Sequence, residues 1–435
     1  MLTLLFVMGI LPSKENGVLK LLSPQIIFVI SFIPGVIYAF WYVDKWDLNL
    51  SKMTLVTIIT GLVVFILVSY ITNILYKYVF SKIKFFLPSK YTCNKNNDIN
   101  SRIDRWKIIV LLVLQLISLI LTVFFLFRTY GFNLSSSIFM YRSSSTGEDA
   151  VALPSMVKLL RRIALSSSYI ITYLYLNGIV YKNKKNRLLE LICILLAILN
   201  GFMLGGRGDG IQIIIAAIVQ YIALKVYSSN QKRILPVKDV LKVIIILAII
   251  VASFTQLGEL LGREMDFLNY NDYIAVYLSA ELKNLDIFIS SGSYGHPISK
   301  SLTLYSIINS LGGILHQPQW IHDFDIPFRY YGGYALGNVG TIFYPFFYDG
   351  GLMGVIIYTS FMAFFCQIGY MKFVEADKKS QLNLMFIFYS YLAYIIVFSF
   401  FSNKFYEMIF NTSFIWCVVS WVLVKYFLMR IKVKV

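Results

Sequence analysis

Along most of this chain, apolar residues come in blocks of about 18 or more, the length that crosses the hydrocarbon core of a bilayer. Ten blocks stand out, near residues 25–43, 53–76, 108–127, 163–181, 188–204, 211–227, 243–258, 351–371, 381–402 and 408–424. Residues 1–11 are apolar but short for a span. They lack the basic start and small-residue cleavage site of a secretory signal. Counted as the inner half of a first helix, they bring the total to about eleven spans. The pattern therefore predicts an all-α polytopic membrane protein, with residues 1–435 forming one integral membrane domain.

The pattern breaks between residues 257 and 350. There the polar positions crowd together: nine of the 22 acids, four of the 39 bases and all three histidines fall in this stretch. Two segments inside it, 273–289 and 301–315, keep enough apolar residues to predict helices that lie in or dip into the membrane interface. Long connections of this kind are usually functional. The stretch is read as a long extracytoplasmic loop that carries much of an active site.

Charge fixes the expected orientation. The chain is 58% hydrophobic and 14% charged, well below the ~25% charged residues of soluble domains. Its formal net charge of +17 could point to nucleic acid, but the distribution argues otherwise. When the loops are assigned alternately to two sides, one side holds 26 Lys/Arg and the other 13. Basic loops stay in the cytoplasm, which places the C-terminus inside and the 257–350 loop outside. The basicity is a topology signal, and no nucleic-acid partner is expected. Cys93 falls in a cytoplasmic loop and Cys193, Cys366 and Cys417 fall in spans, so no outer disulfide framework is available. The basic, aromatic loop 77–107 suits contact with anionic lipid headgroups. It carries no phosphate-binding glycine motif, so chemistry driven by a cytoplasmic nucleotide is not expected.

Candidate chemistry lies on the outer side. In GGRGDG (205–210) the glycines let the backbone turn sharply and approach a ligand closely. The planar fork of Arg207 suits bidentate capture of phosphate oxygens. The competing reading is an anchoring arginine that snorkels to the interface with Asp209 as its local partner. The segment from Arg329 to Gly354, RYYGGYALGNVGTIFYPFFYDGGLMG, offers Asn338, Thr341, Tyr344, Tyr348 and Asp349 as donors and acceptors amid aromatic rings, a surface suited to sugars. An interfacial aromatic belt is the alternative. His296, His316 and His322 could supply a general base, as could a carboxylate of the same loop. HDFD (322–325) and DKWD (44–47) are weak acidic pairs, and neither a metal nor another cofactor is expected.

GGRGDG at the outer end of a middle span, the segment SAELKNLDIFISS (279–291) and GGYALGNVGTIFYPFFYDGGLMG (332–354) together resemble the Wzy-type polymerases of oligosaccharide repeat units. The resemblance covers residues 200–372 by motif and the whole chain by span layout. The short first span and the Gly-Gly that follows Asp349 depart from the family pattern. It implies a GT-C-like bundle of about eleven transmembrane helices with an outward-facing cavity. It also implies a metal- and nucleotide-independent glycosyltransferase of the bacterial cytoplasmic membrane, its active site facing the periplasm or cell exterior. The implied substrates are an undecaprenyl-pyrophosphate-linked oligosaccharide donor and acceptor, with undecaprenyl pyrophosphate released. Membrane lipids surround it, and a chain-length regulator would be a compatible partner.

On this reading Arg207 and Arg329 hold the leaving pyrophosphate, with Arg142 and Arg263 in reserve. His322 is the expected base, with His316 as second choice. Asp349 orients a partner or the sugar, and Asn338, Thr341, Tyr344 and Tyr348 bind sugar. A polysaccharide or O-antigen ligase of similar fold, or a flippase for lipid-linked oligosaccharides, is the alternative.

Overall fold

A computed structural model of the chain describes residues 17–84, 99, 102–144, 151–228, 236–253, 256, 258, 261, 270–322, 326–376 and 382–430. Residues 1–11, most of the basic loop 77–107, Glu259, Arg263, Asp323 and Asp325 lie outside this set.

In chain order the helices are α1 (Pro24–Trp41), α2 (Val43–Trp46), α3 (Lys52–Lys84), α4 (Arg105–Tyr130), α5 (Leu134–Ser144), α6 (Ser155–Val180), α7 (Arg187–Phe202), α8 (Gly208–Ser228) and α9 (Val237–Ala252). After these come α10 (Tyr270–Ser290), α11 (Tyr305–Ile314), the hairpin strands β1 (Arg329–Tyr331) and β2 (Tyr334–Gly337), α12 (Phe343–Glu375), α13 (Leu384–Val397), α14 (Lys404–Ile409) and α15 (Thr412–Arg430). Each of the ten apolar blocks meets one of these helices. Among the described residues seven are long and apolar enough to cross a membrane: α1, α3, α4, α6, α8, α12 and α15. The apolar helices α7, α9 and α13 are shorter, at 16, 16 and 14 residues. The protein is thus an all-α, multi-pass membrane protein by length and composition.

Helices α4, α6, α7 and α8 pack as a group, α3 and α12 run along one another, and α13 lies against α8, α12 and α1. Rings fill the centre. Phe28 stacks on Phe65 at 4.0 Å, Phe32 on Phe343 at 5.7 Å, and Phe288 on Tyr344 at 4.1 Å. Helix α9 differs: of its described side chains only Asp239 is buried, held by the Tyr221 hydroxyl at 2.7 Å and by Lys225 and Lys242. Its Ile and Leu side chains are largely exposed, as lipid contact requires, and Leu247 also lines a cavity.

Both helices expected within the 257–350 loop form, as α10 and α11. Helix α10 lies along α1. Three of its four charged residues anchor it: Asp272 accepts from Tyr42 at 2.5 Å and pairs with Lys45 at 3.2 Å. Asp286 accepts from the Ser51 amide and the Thr54 hydroxyl, both at 2.7 Å, and Lys283 donates to the Asp47 carbonyl at 2.6 Å. Bonding to Asp272 raises the Lys45 ammonium pKa; burial, and then the same carboxylate, raise that of the Tyr42 phenol. The DKWD segment therefore serves as a docking edge for the loop.

The β-hairpin is a feature the hydropathy pattern does not predict. Gly332 and Gly333 both take positive φ, as a two-residue turn between twisted strands requires. The Gly-Gly after Asp349 also has a structural use. Gly350 and Gly351 leave helical geometry and kink α12, and Gly351 adopts φ 56° with the Tyr294 ring packed where a side chain would project.

Candidate functional site

The site begins at the tight turn between α7 and α8. Gly205 takes φ 73°, a conformation that favours glycine. Arg142 of α5 closes over it, donating from Nη1 to the Gly205 carbonyl at 2.6 Å. Arg207 precedes the first residue of α8, whose N-terminus adds partial positive charge. Sequence and fold thus bring Arg142 and Arg207 to one turn.

Arg207 is buried beneath the long loop. Its guanidinium donates to the Tyr273 hydroxyl and lies against two rings of α10, Tyr273 at 5.5 Å and Tyr277 at 5.1 Å. Asp209 is not its local partner. That carboxylate pairs with Arg161 of α6, Nη2 to Oδ2 at 3.2 Å. Arg161 also donates to the carbonyls of Asn200 and Gly201, at 2.9 and 3.2 Å. Arg207 thus lies against two aromatic rings of one helix.

Arg207 opens onto a cavity of about 690 Å3, within the 300–1,000 Å3 range of ligand sites. Arg161, Arg207 and Lys404 line it, with Asp209 the single acid among the lining residues. The remaining wall is mostly apolar, including Ile215, Leu247 of α9, Leu278, Val397 and Phe401. Lys404 pairs with Glu407 at 2.7 Å. Such a cavity offers a cationic end to an anion and an oily wall to a chain attached to it.

The other expected site residues lie elsewhere. None of the three histidines lines this cavity. His322 sets its ring edge-on to Tyr305 and directs Nδ1 to the Trp320 carbonyl at 3.1 Å. His296 stacks on Tyr348 at 3.8 Å, and His316 is exposed with φ 52°. Arg329 opens the hairpin, outside the cavity lining. Asn338 is exposed; Thr341 is buried and accepts from the Phe343 amide, and Tyr344 is buried against Phe288. Asp349 clamps the segment before α11, accepting from Ser301 Oγ at 2.5 Å and from the amides of Leu302 and Thr303 at 2.9 and 3.1 Å.

Three groups escaped the sequence reading. Arg161 stands at the outer edge of a span, where a lone cation looks like an anchor, and Lys404 sits in a short polar break between two apolar blocks. Glu281 is the third. It lies one helical turn beyond Tyr277 and Leu278 on α10, is 1% exposed, and neither carboxyl oxygen has a hydrogen-bond partner among the described residues. Burial pushes its carboxyl well above the usual carboxylate range.

No protein-family model matches the chain, and neither a curated protein nor a solved structure matches it.

Proposed function

We propose that this protein joins lipid-linked oligosaccharide repeat units into a surface polysaccharide on the outer face of the bacterial cytoplasmic membrane. The observation that carries the reading is the cavity at Arg207, whose three cations face an oily wall. This matches a polyprenyl pyrophosphate in both its parts. The C-terminus is assigned to the cytoplasm by the basic-loop asymmetry.

The chemistry follows from the substrate. A hydroxyl oxygen of the incoming unit bonds to the anomeric carbon of the donor glycan as the bond from that carbon to the pyrophosphate oxygen breaks. The electron pair leaves with the pyrophosphate, so negative charge grows there in the transition state, where fixed cations help most. Arg207, Arg161 and Lys404 take that role, with Arg142 setting the turn. The hydroxyl proton needs an acceptor. We assign it to Asp209, the carboxylate of the cavity lining, in place of His322, which lies outside that lining. No nucleotide enters, because the lipid pyrophosphate is already an activated leaving group.

Reconstitution tests the reading. Purified protein given lipid-linked repeat units without nucleotide should yield a ladder spaced by one unit. Transfer of a single block to a different acceptor lipid would make it a ligase. Translocation of intact lipid-linked units with no new glycosidic bond would make it a transporter.

A further inference from the structure

A second cavity, of about 400 Å3, lies against the first, and Arg161, Asp209 and Gln212 line both. The Arg161–Asp209 pair is therefore a partition between two compartments. The second is distinct in character. Its wall carries Ser166, Asn411 and Ser413 and, on α6, the cations Lys158 and Arg162. Lys158, Arg161 and Arg162 are spaced three and four residues apart, which sets them on one helix face.

The two acids at this cavity already have partners, Asp209 in Arg161 and Glu407 in Lys404. Among the described residues neither Lys158 nor Arg162 makes a salt bridge. Arg161 is only 6% exposed, and its Nε is buried without a hydrogen-bond partner among the described residues. The arrangement is a small chamber, less apolar than the first cavity, with cations on one wall and a buried donor left over.

We propose that this chamber is a second phosphate site, which holds the pyrophosphate–sugar head of the incoming unit while the first cavity holds the donor. This rests on the polymerase reading. Lys158 and Arg162 bind the phosphate oxygens, and the unpartnered Nε of Arg161 supplies a further donor. The acceptor hydroxyl then approaches the donor's anomeric carbon across the partition, beside Asp209. Arg161 and Asp209 serve both compartments, which explains why this ion pair, with Arg161 buried and Asp209 half exposed, stands where the two cavities meet.

The test is calorimetric titration of the full chain in lipid nanodiscs with a short-chain prenyl pyrophosphate. Wild type should bind two molecules. Lys158→Ala with Arg162→Ala should remove one site and leave the other, and Arg207→Ala should remove the complementary one. Restoring charge with Lys158→Arg and Arg162→Lys should restore the second site and exclude misfolding as the cause. Inorganic pyrophosphate should compete at the second site and bind the first at least about tenfold more weakly than the prenyl compound, since the first has an oily wall to contribute. In the polymerisation assay the double Ala variant should raise the acceptor KM by at least about tenfold, the scale of a single lost charge-assisted contact, and leave the donor KM unchanged. A single site in wild type, lost in Arg207→Ala and untouched by the double variant, overturns the second site while the polymerase reading stands. Absence of any prenyl pyrophosphate binding overturns both.

Discussion

The turn at Arg207 and the loop around Asp349 are both polar regions of an oily bundle, yet their charges are arranged differently. In the loop, three of the four described carboxylates are filled by neighbours: Asp349 takes three hydrogen bonds from residues 301–303, Asp286 two from residues 51 and 54, and Asp272 is held by Tyr42 and Lys45. At the turn, Arg161 of α6, Arg207 just before α8 and Lys404 of α14 line one cavity whose other walls are mostly apolar, Arg161 and Lys404 being paired with Asp209 and Glu407. The titratable residues that crowd this stretch of the sequence thus include three that fasten it to its neighbours. The Arg207 turn is set apart by three cations that line one enclosed space.

The contrast is sharpest in the size of mutational effects. Arg207→Ala should lower polymerisation by about 10²–10³-fold, the cost of losing one preorganised charge stabiliser. Arg207→Lys should fall between, since it keeps the charge and loses the planar fork. Protein level in the membrane should stay near wild type, and wild-type turnover in the Ala variant would break the comparison at its functional end.

At the scaffold end, Asp349→Ala should act on stability. It leaves the Ser301 hydroxyl and two amides without their acceptor, at a cost of about 3 kcal/mol. Thermal aggregation followed by size-exclusion chromatography should show a lower midpoint. An unchanged midpoint with lost turnover would instead move Asp349 into the chemistry.

Glu281 sits between the two behaviours, on the loop helix that roofs the cavity. Its buried carboxyl keeps its proton at pH values where the unfolded chain, with a pKa of about 4.3, has lost it. Rising pH therefore favours the unfolded state from that point upward. Glu281→Gln removes the penalty, so the variant should melt above wild type at pH 8 and the gap should shrink toward pH 5. A gap that widens on acidification would mean that the carboxylate is ionised and partnered in the fold.

The smallest effects belong to the histidines. Separate substitution of His296, His316 and His322 by Gln should change turnover by no more than about twofold, the range of changes that touch no special feature. A large loss at His322 alone would return the base to the loop.

Hydropathy made the layout legible because each span announces itself locally. The same holds for α10 and α11, and for the glycine turn that aims Arg207. What stayed hidden is tertiary. Arg161 and Lys404 are 243 positions apart in numbering and each looks like an ordinary interfacial cation; only packing of α6 and α14 around α8 brings them to one cavity. His322 illustrates the reverse. It lies seven residues before Arg329 in the sequence, yet the chain directs its ring to Tyr305 and the Trp320 carbonyl. The hairpin was readable in principle, since Gly332–Gly333 between RYY and YALG is a two-residue turn signal. Its aromatic richness drew attention to sugars instead.

The central claim is that the Arg207 cavity holds the lipid pyrophosphate. A prenyl pyrophosphate carrying a photoreactive diazirine in its first isoprene units, irradiated on the full chain in nanodiscs and mapped by mass spectrometry, tests it most directly. Labels should fall on Ile215, Leu247 and Leu278 and vanish in Arg207→Ala. Labels concentrated on α11 and the β-hairpin, and unaffected by that substitution, would contradict the account.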